Sequence, residues 1–196
     1  MSPFLQSVAD SFAEARNRLH ALLDETDDDA FNQKPSATAW SAGECVVHLN
    51  KVSKLYLAAM EPLVERGGPS GGGPYAWGWV ARRFIESVRP GSRPLPTGGA
   101  MKPPAASGLR SDVDRERAVA RFDADTDRWL ALCERAEGLD LSQITMRSPF
   151  LPLLKLPVGA FLEAMGLHAL RHVGQAERAA GRPARPAAGD RAGGAA

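Results

Sequence analysis

Apolar residues recur at three- and four-residue steps in four stretches of the chain, and this spacing predicts four amphipathic helices. The first is predicted over about residues 3–24 and the second begins at about Ala42. The third spans about residues 112–137, and the fourth begins near Pro157. No strand-rich segment competes with them. The sequence therefore predicts an all-α bundle of four long helices, a fold in which sites are typically built from side chains on facing helices.

The second helix carries the most complete start signal. Ser41 is a candidate N-cap, and Glu44 three residues later completes a capping box. Glu44 also lies one turn before His48, so it has two interpretations: a cap, which the motif favours, or a group that orients a metal ligand. For the other helices, Ser111 is expected to cap the third and Pro157 to lie in the first turn of the fourth, while the acidic run at residues 24–29 is expected to end the first.

A long insertion separates the second and third helices. It covers residues 67–111 and contains the run GGPSGGG and a second stretch rich in proline and glycine at residues 89–108. Residues 75–88 between them predict a short amphipathic helix that forms a pocket wall, whereas residues 89–108 are expected to be mobile. Residues 1–180 are predicted to form one helical domain, and residues 181–196 a disordered tail.

Composition narrows the class of protein. The 24 Lys and Arg residues balance 23 Asp and Glu residues, so no charge excess points to nucleic acid or to an acidic membrane surface. No run of eighteen apolar residues is present, and the first residues lack the pattern of a signal peptide. A cytoplasmic protein with a small-molecule substrate is expected. Cys45 and Cys133 lie on apolar stripes and are expected to be free, buried thiols.

Three of the four histidines lie on predicted inward faces. His168 and His172 are one turn apart on the fourth helix, with Gln175 following on the same face, and His48 lies in the apolar stripe of the second helix. Buried neutral imidazoles need partners, which a divalent metal provides. Two alternatives stay open: hydrogen bonds to neighbouring helices can satisfy the rings, and Gln175 can be a core amide rather than a group that orients a ligand.

Taken together, these motifs resemble those of the DinB-like superfamily, which includes YfiT-type metalloproteins. The resemblance is carried by Trp40-Ser41, Glu44 and His48-Leu49, followed by the pattern HxxxHxxQ at residues 168–175, and it covers roughly residues 3–180. It implies an all-α, up-down four-helix bundle with a divalent ion, commonly nickel or zinc, held by His48, His168 and His172. It also implies a possible homodimer. The long insertion departs from the shortest members of the family.

The resemblance implies an activity as well, because characterised relatives include transferases that use a low-molecular-weight thiol such as bacillithiol or mycothiol. The first hypothesis is therefore a metal-dependent thiol S-transferase in which the metal lowers the pKa of the thiol. A metal-dependent hydrolase is the second, and it lacks an obvious general base. The third is a non-catalytic metal- or ligand-binding bundle, in which Tyr56, Trp77 and Trp79 line an apolar pocket.

Overall fold

The computed structural model describes residues 1–93, 102–103 and 108–182. Within these ranges the fold is mostly helical, as predicted, with six helices and one small sheet. The helices are α1 (Pro3–Leu23), α2 (Asp28–Asn32), α3 (Ala42–Arg66), α4 (Trp79–Val88), α5 (Arg115–Arg135) and α6 (Val158–Ala179). The strands β1 (Thr145–Arg147) and β2 (Lys155–Pro157) pair antiparallel, with Met146 opposite Leu156.

The four long helices share one core. Helix α1 packs against α5 and α6, α3 packs against the same two helices, and α4 lies on α6. The approach of α1 to α6 depends on a glycine, because a Cβ atom on Gly166 would lie 3.1 Å from the Cβ atom of Ser11. Near the other end of α6, the buried Arg18 and Glu177 form a two-point ion pair between the same helices. Helix α6 is thereby fixed at two places along its length.

Two short elements differ from the sequence prediction. The acidic run does more than end α1, because Asp27 caps the short helix α2 and Asp28 and Asp29 occupy its first turn, where carboxylates stabilise a helix N-terminus. The connector before α6 holds the β1–β2 hairpin instead of irregular chain. Pro157 ends β2 and is the N-cap of α6, one residue before the position predicted for it.

The insertion is partly helical. Helix α4 begins at Trp79, later than the predicted start at residue 75, and its apolar side lies on α6. Asp114 rather than Ser111 caps α5. Residues 94–101 and 104–107 of the stretch predicted to be mobile lie outside the described residues, and so does the predicted disordered tail from residue 183. In the described part of the chain, no helix is long and apolar enough to cross a membrane.

Candidate metal centre

The structure brings three histidines together from two helices. His48 projects from α3, and His168 and His172 project from α6. One ring nitrogen from each lies within 4.8 Å of the other two, and the Nε2 atoms of His48 and His168 are 3.4 Å apart. His48 and His172 are buried, and His168 is half-buried. Three imidazole nitrogens at this spacing form a donor set that suits a divalent transition metal such as zinc or nickel.

The N-terminus of α3 is held firmly one turn before His48. Ser41 Oγ accepts from the backbone N–H of Glu44, and a carboxylate oxygen of Glu44 accepts from the backbone N–H of Ser41 at 2.9 Å. The other carboxylate oxygen lies 3.8 Å from the buried Lys34 Nζ. The predicted capping box is therefore confirmed, and the Glu44 carboxylate is engaged in it rather than free beside the histidines.

The chain that follows the insertion strengthens this cap. Ser111, expected to cap α5, instead lies 2.7 Å from Ser41 Oγ through its own hydroxyl oxygen. The Ser111 hydroxyl also lies 2.7 Å from Asn32 Oδ1, at the end of α2. This buried chain of hydroxyl and amide groups ties the start of the histidine-bearing helix to two distant parts of the sequence.

Burial keeps the imidazoles of α6 neutral. It lowers the pKa of His168 from 6.5 to about 3, with smaller effects from the charges of His48 and Arg171. The pKa of His172 is lowered well below its usual value, first by burial and then by the neighbouring histidines and Arg171. A neutral imidazole keeps a lone pair for a metal, so the chemistry of the donor set fits the ion.

Gln175 orients one of these rings. Its Oε1 atom lies 3.0 Å from His172 Nδ1, an arrangement in which Nδ1 carries the proton and Nε2 holds the lone pair. A hydrogen bond of this kind to the far nitrogen is the usual support of a metal-binding histidine. The structure therefore places Gln175 beside the centre, in contact with a ring nitrogen.

Trp40 is the neighbour that the sequence analysis did not assign to the site. Its ring centroid lies 5.0 Å from that of His48 and 5.9 Å from that of His172, and it is nearly parallel to the latter. It directly precedes the N-cap Ser41, so the capping box also fixes the start of this wall. The sequence did contain a signal for this contact. A large aromatic residue stands directly before the N-cap of a helix whose inward face carries a histidine.

The structure gives other surroundings to the three aromatic residues that were predicted to line a pocket. The Tyr56 hydroxyl is 3.1 Å from Ser148 Oγ, and its ring packs against Phe150 and Phe161 instead of the histidines. Trp77 donates to Glu163, whereas Trp79 is 69% exposed.

Both cysteines are free and buried, as expected. Burial raises the pKa of the Cys45 thiol, and Glu44 adds to the effect, so this thiol is neutral in the metal-free protein.

A comparison with protein-family models finds one family that matches the chain. The model described as the DinB superfamily matches residues 11–176, which include all three histidines and Gln175. No curated protein and no solved structure matches the sequence. The match spans most of the chain and the parts of α3 and α6 that carry the three histidines, in agreement with the family predicted from the motifs. The chain therefore belongs to the DinB superfamily.

Proposed function

We propose that this chain is a metal-dependent enzyme that transfers a low-molecular-weight thiol to an electrophilic small molecule. The observation that carries the proposal is the grouping of His48, His168 and His172, whose ligand atoms lie within 4.8 Å of one another. Three protein ligands are typical of catalytic zinc sites, whereas structural sites usually have four. In the described part of the chain, no carboxylate or thiol joins this group.

The residues of the chain have distinct roles in this proposal. The three imidazoles hold a divalent ion, zinc or nickel, and Gln175 fixes the ring of His172. The ion supplies Lewis-acid chemistry, which lowers the pKa of a thiol and favours the thiolate. Trp40 shields one side of the centre from water. In the reaction, the sulfur forms a bond to the electrophilic carbon, the leaving group departs with its bonding electrons, and the thiol proton passes to solvent.

Thiol transfer is favoured over hydrolysis by the state of Glu44, the carboxylate one turn before His48 on α3. Hydrolysis needs a general base close to the attacking water. Glu44 lies one turn before His48, but its two oxygens are engaged with the Ser41 N–H and with Lys34, and the residue is only 2% exposed. A thiol with a lowered pKa needs no such base, because it is already ionised when it reacts.

We further infer that α1, α3, α5 and α6 form the up-down four-helix bundle expected from the family resemblance. The mutual packing of these helices supports this arrangement. A homodimer stays a prediction. A purely structural role for the metal is disfavoured, because such a site usually has four protein ligands and, among the described residues, no cysteine or carboxylate joins the three histidines.

The proposal is tested by metal content and by transfer activity in the same preparations. Protein purified with zinc or nickel present is expected to hold about one ion per chain, since three donors converge on one point. It is also expected to catalyse transfer of a model thiol to a chromogenic aryl halide. His168→Ala is expected to abolish both properties, because two ligands hold an ion poorly.

His20→Ala is the matched control. His20 is the remaining histidine, it is exposed, and its Nε2 atom lies 2.9 Å from a carboxylate oxygen of Asp123. Its removal is expected to leave metal content and transfer rate unchanged. Normal thiol transfer by metal-free His168→Ala would refute the proposed function. Metal-dependent ester hydrolysis without any thiol requirement would favour the hydrolase instead.

A further inference from the structure

A narrow cleft lies between the four long helices of the protein. Its walls include Phe12 from α1, Leu49 and Val52 from α3, Phe122 from α5 and Met165 from α6. Each of these side chains is buried. The cleft has a volume of about 310 Å³ when its open part is included, but its enclosed part has room for only about one water molecule. It is therefore a slot that is partly open to solvent.

His168 belongs both to this cleft and to the three-histidine group. It is half-buried and lines the cleft, and its Nε2 atom lies 3.4 Å from Nε2 of His48. Ala169, the next residue of α6, also lines the cleft. A molecule in the cleft therefore lies against a residue whose imidazole is part of the proposed metal centre.

The polar groups along the cleft are already engaged within the protein. Trp129 Nε1 donates to Ser53 Oγ at 3.1 Å, and Thr126 Oγ1 donates to the carbonyl oxygen of Phe122 at 2.9 Å. Among the described residues, no aspartate, glutamate, lysine or arginine lines the cleft. A buried water needs about two to four polar partners, and a buried charge needs a partner of opposite sign. The cleft therefore favours an uncharged, apolar occupant.

Contacts between helices hold the walls of the cleft in place. The rings of Phe12 and Trp129 stack at 5.0 Å with an angle of 8° between their planes, which joins α1 to α5. The bond from Trp129 to Ser53 joins α5 to α3. A narrow cleft with closely packed walls admits the methyl end of an unbranched chain more readily than a branched group.

We propose that this cleft binds the unbranched alkyl chain of an uncharged acceptor and holds its electrophilic carbon beside the three-histidine centre. In the transfer, the thiol sulfur forms a bond to that carbon. The bond from the carbon to the leaving group breaks, its electrons stay with the leaving group, and the thiol proton passes to solvent. The assignment of the chain to the acceptor rests on the proposed function, whereas binding of an alkyl chain in the cleft does not.

Binding is tested without any reaction, by fluorine-19 NMR. 1-Fluorobutane is titrated into the full-length protein, with and without one equivalent of zinc, and its signal is expected to shift on binding. The branched isomer 1-fluoro-2-methylpropane has the same number of carbon atoms. It is expected to bind at least about fourfold more weakly, the factor that corresponds to one buried methylene group.

Transfer of 2-mercaptoethanol to 1-iodoalkanes tests the role of the chain in the reaction. Each rate is divided by the uncatalysed rate for the same compound. The value of kcat/KM is expected to rise by about fourfold for each methylene group added to iodoethane, until the chain fills the cleft. 4-Iodobutanoate matches 1-iodobutane in length but ends in a carboxylate, and it is expected to react at least about tenfold more slowly because the cleft offers this charge no partner.

Three variants of α3 locate the effect. Val52→Ala widens the cleft and is expected to reduce the preference for the unbranched isomer severalfold. Val52→Ile narrows the cleft and is expected to shift the preference towards shorter chains. Val64→Ala is the matched control, because Val64 is also a buried valine of α3 but does not line the cleft, and it is expected to keep the preference of the wild type.

Each outcome supports or overturns the proposal. Equal binding of the two fluoroalkanes to the wild type would overturn it, and so would a preference that is unchanged in both Val52 variants. Alkyl binding that responds to these variants, in a protein that transfers no thiol, would retain the alkyl site and reject the proposed function. Thiol transfer that depends on neither chain length nor charge would retain the proposed function and reject the alkyl site.

Discussion

The hydrogen bond between Gln175 and His172 offers a sharp test of the metal centre. Replacing Gln175 with Leu keeps a similar volume but removes the acceptor that lies 3.0 Å from His172 Nδ1. The proton on Nδ1 then loses its partner in a ring that is only 9% exposed, so water does not easily replace it. The imidazole is free to adopt the other tautomer, in which Nε2 carries the proton and cannot bind a metal.

The size of the effect follows from this contact. Loss of such a hydrogen bond typically weakens metal binding by about 10–100-fold, which corresponds to about 1.4–2.7 kcal/mol. Gln175→Glu changes the contact in the opposite direction, because a carboxylate is a stronger acceptor of the Nδ1 proton. Zinc binding by this variant is expected to equal or exceed that of the wild type.

Zinc affinity is measured by competition with a chromogenic chelator at neutral pH. Gln6→Leu is the matched control, because Gln6 is an exposed glutamine on α1 whose side-chain amide donates to Asp10 Oδ1 within the same helix. It is expected to leave the affinity unchanged. Unaltered zinc binding by Gln175→Leu would refute the assigned tautomer and the orienting role of Gln175. Weakened binding by both Gln175 variants would indicate instead that the site tolerates no change in shape.

Three further predictions concern stability and reactivity. Glu177→Ala removes the two-point partner of the buried Arg18, which among the described residues then keeps one carboxylate partner, Glu14 at 3.6 Å. The free energy of unfolding is therefore expected to fall by about 3 kcal/mol, with Tm about 6–12 °C lower in thermal melts. Neither Cys45 nor Cys133 is expected to react with an aromatic disulfide reagent at pH 8, because burial raises the pKa of both, that of Cys133 to about 12. The metal-free protein is expected to lose stability as the pH falls below about 6.5 towards 3, since the unfolded chain protonates His168 over this range and the folded chain does not.

Each of these has a control and a contradicting result. The double variant Arg18→Met with Glu177→Leu is expected to recover much of the lost stability, and an unchanged Tm in Glu177→Ala alone would contradict the ion-pair argument. Rapid labelling of either thiol before unfolding would show that its helix opens readily. For the pH dependence, a metal-free His168→Phe variant is expected to lose less stability on acidification than the metal-free wild type. An equal loss would show that groups other than His168 cause the acid destabilisation.

The long helices could be predicted because their start signals are local. The capping box at Ser41 needs only Glu44 three residues later, so the start of α3 was predicted correctly from sequence. The cap of α5 could not be chosen in this way, because Ser111 and Asp114 are both good caps. Ser111 is occupied by Ser41 and Asn32, contacts that exist only in the folded chain. The β1–β2 hairpin was missed because strands of three residues are too short to show alternation.

In the candidate site too, features set by helical spacing could be predicted from the sequence, whereas contacts between distant parts of the chain could not. The inward direction of His48, His168 and His172 follows from helical spacing, and the structure brings the three together. Tyr56 lies on the same helix face as His48 but two turns further on, where it meets Ser148. Trp40 precedes its helix, so no periodicity indicates that its ring covers two imidazoles.

The described chain before residue 94 and after residue 107 is hydrogen-bonded to the rest of the protein. Arg171 donates to Ser92 Oγ and Arg93 O before this stretch, and after it Lys34 donates its backbone N–H to Leu109 O at 2.8 Å. None of these contacts uses an imidazole ring of the three histidines. The start and the end of the insertion are therefore positioned independently of metal binding, so a change in metal content does not by itself release either of them.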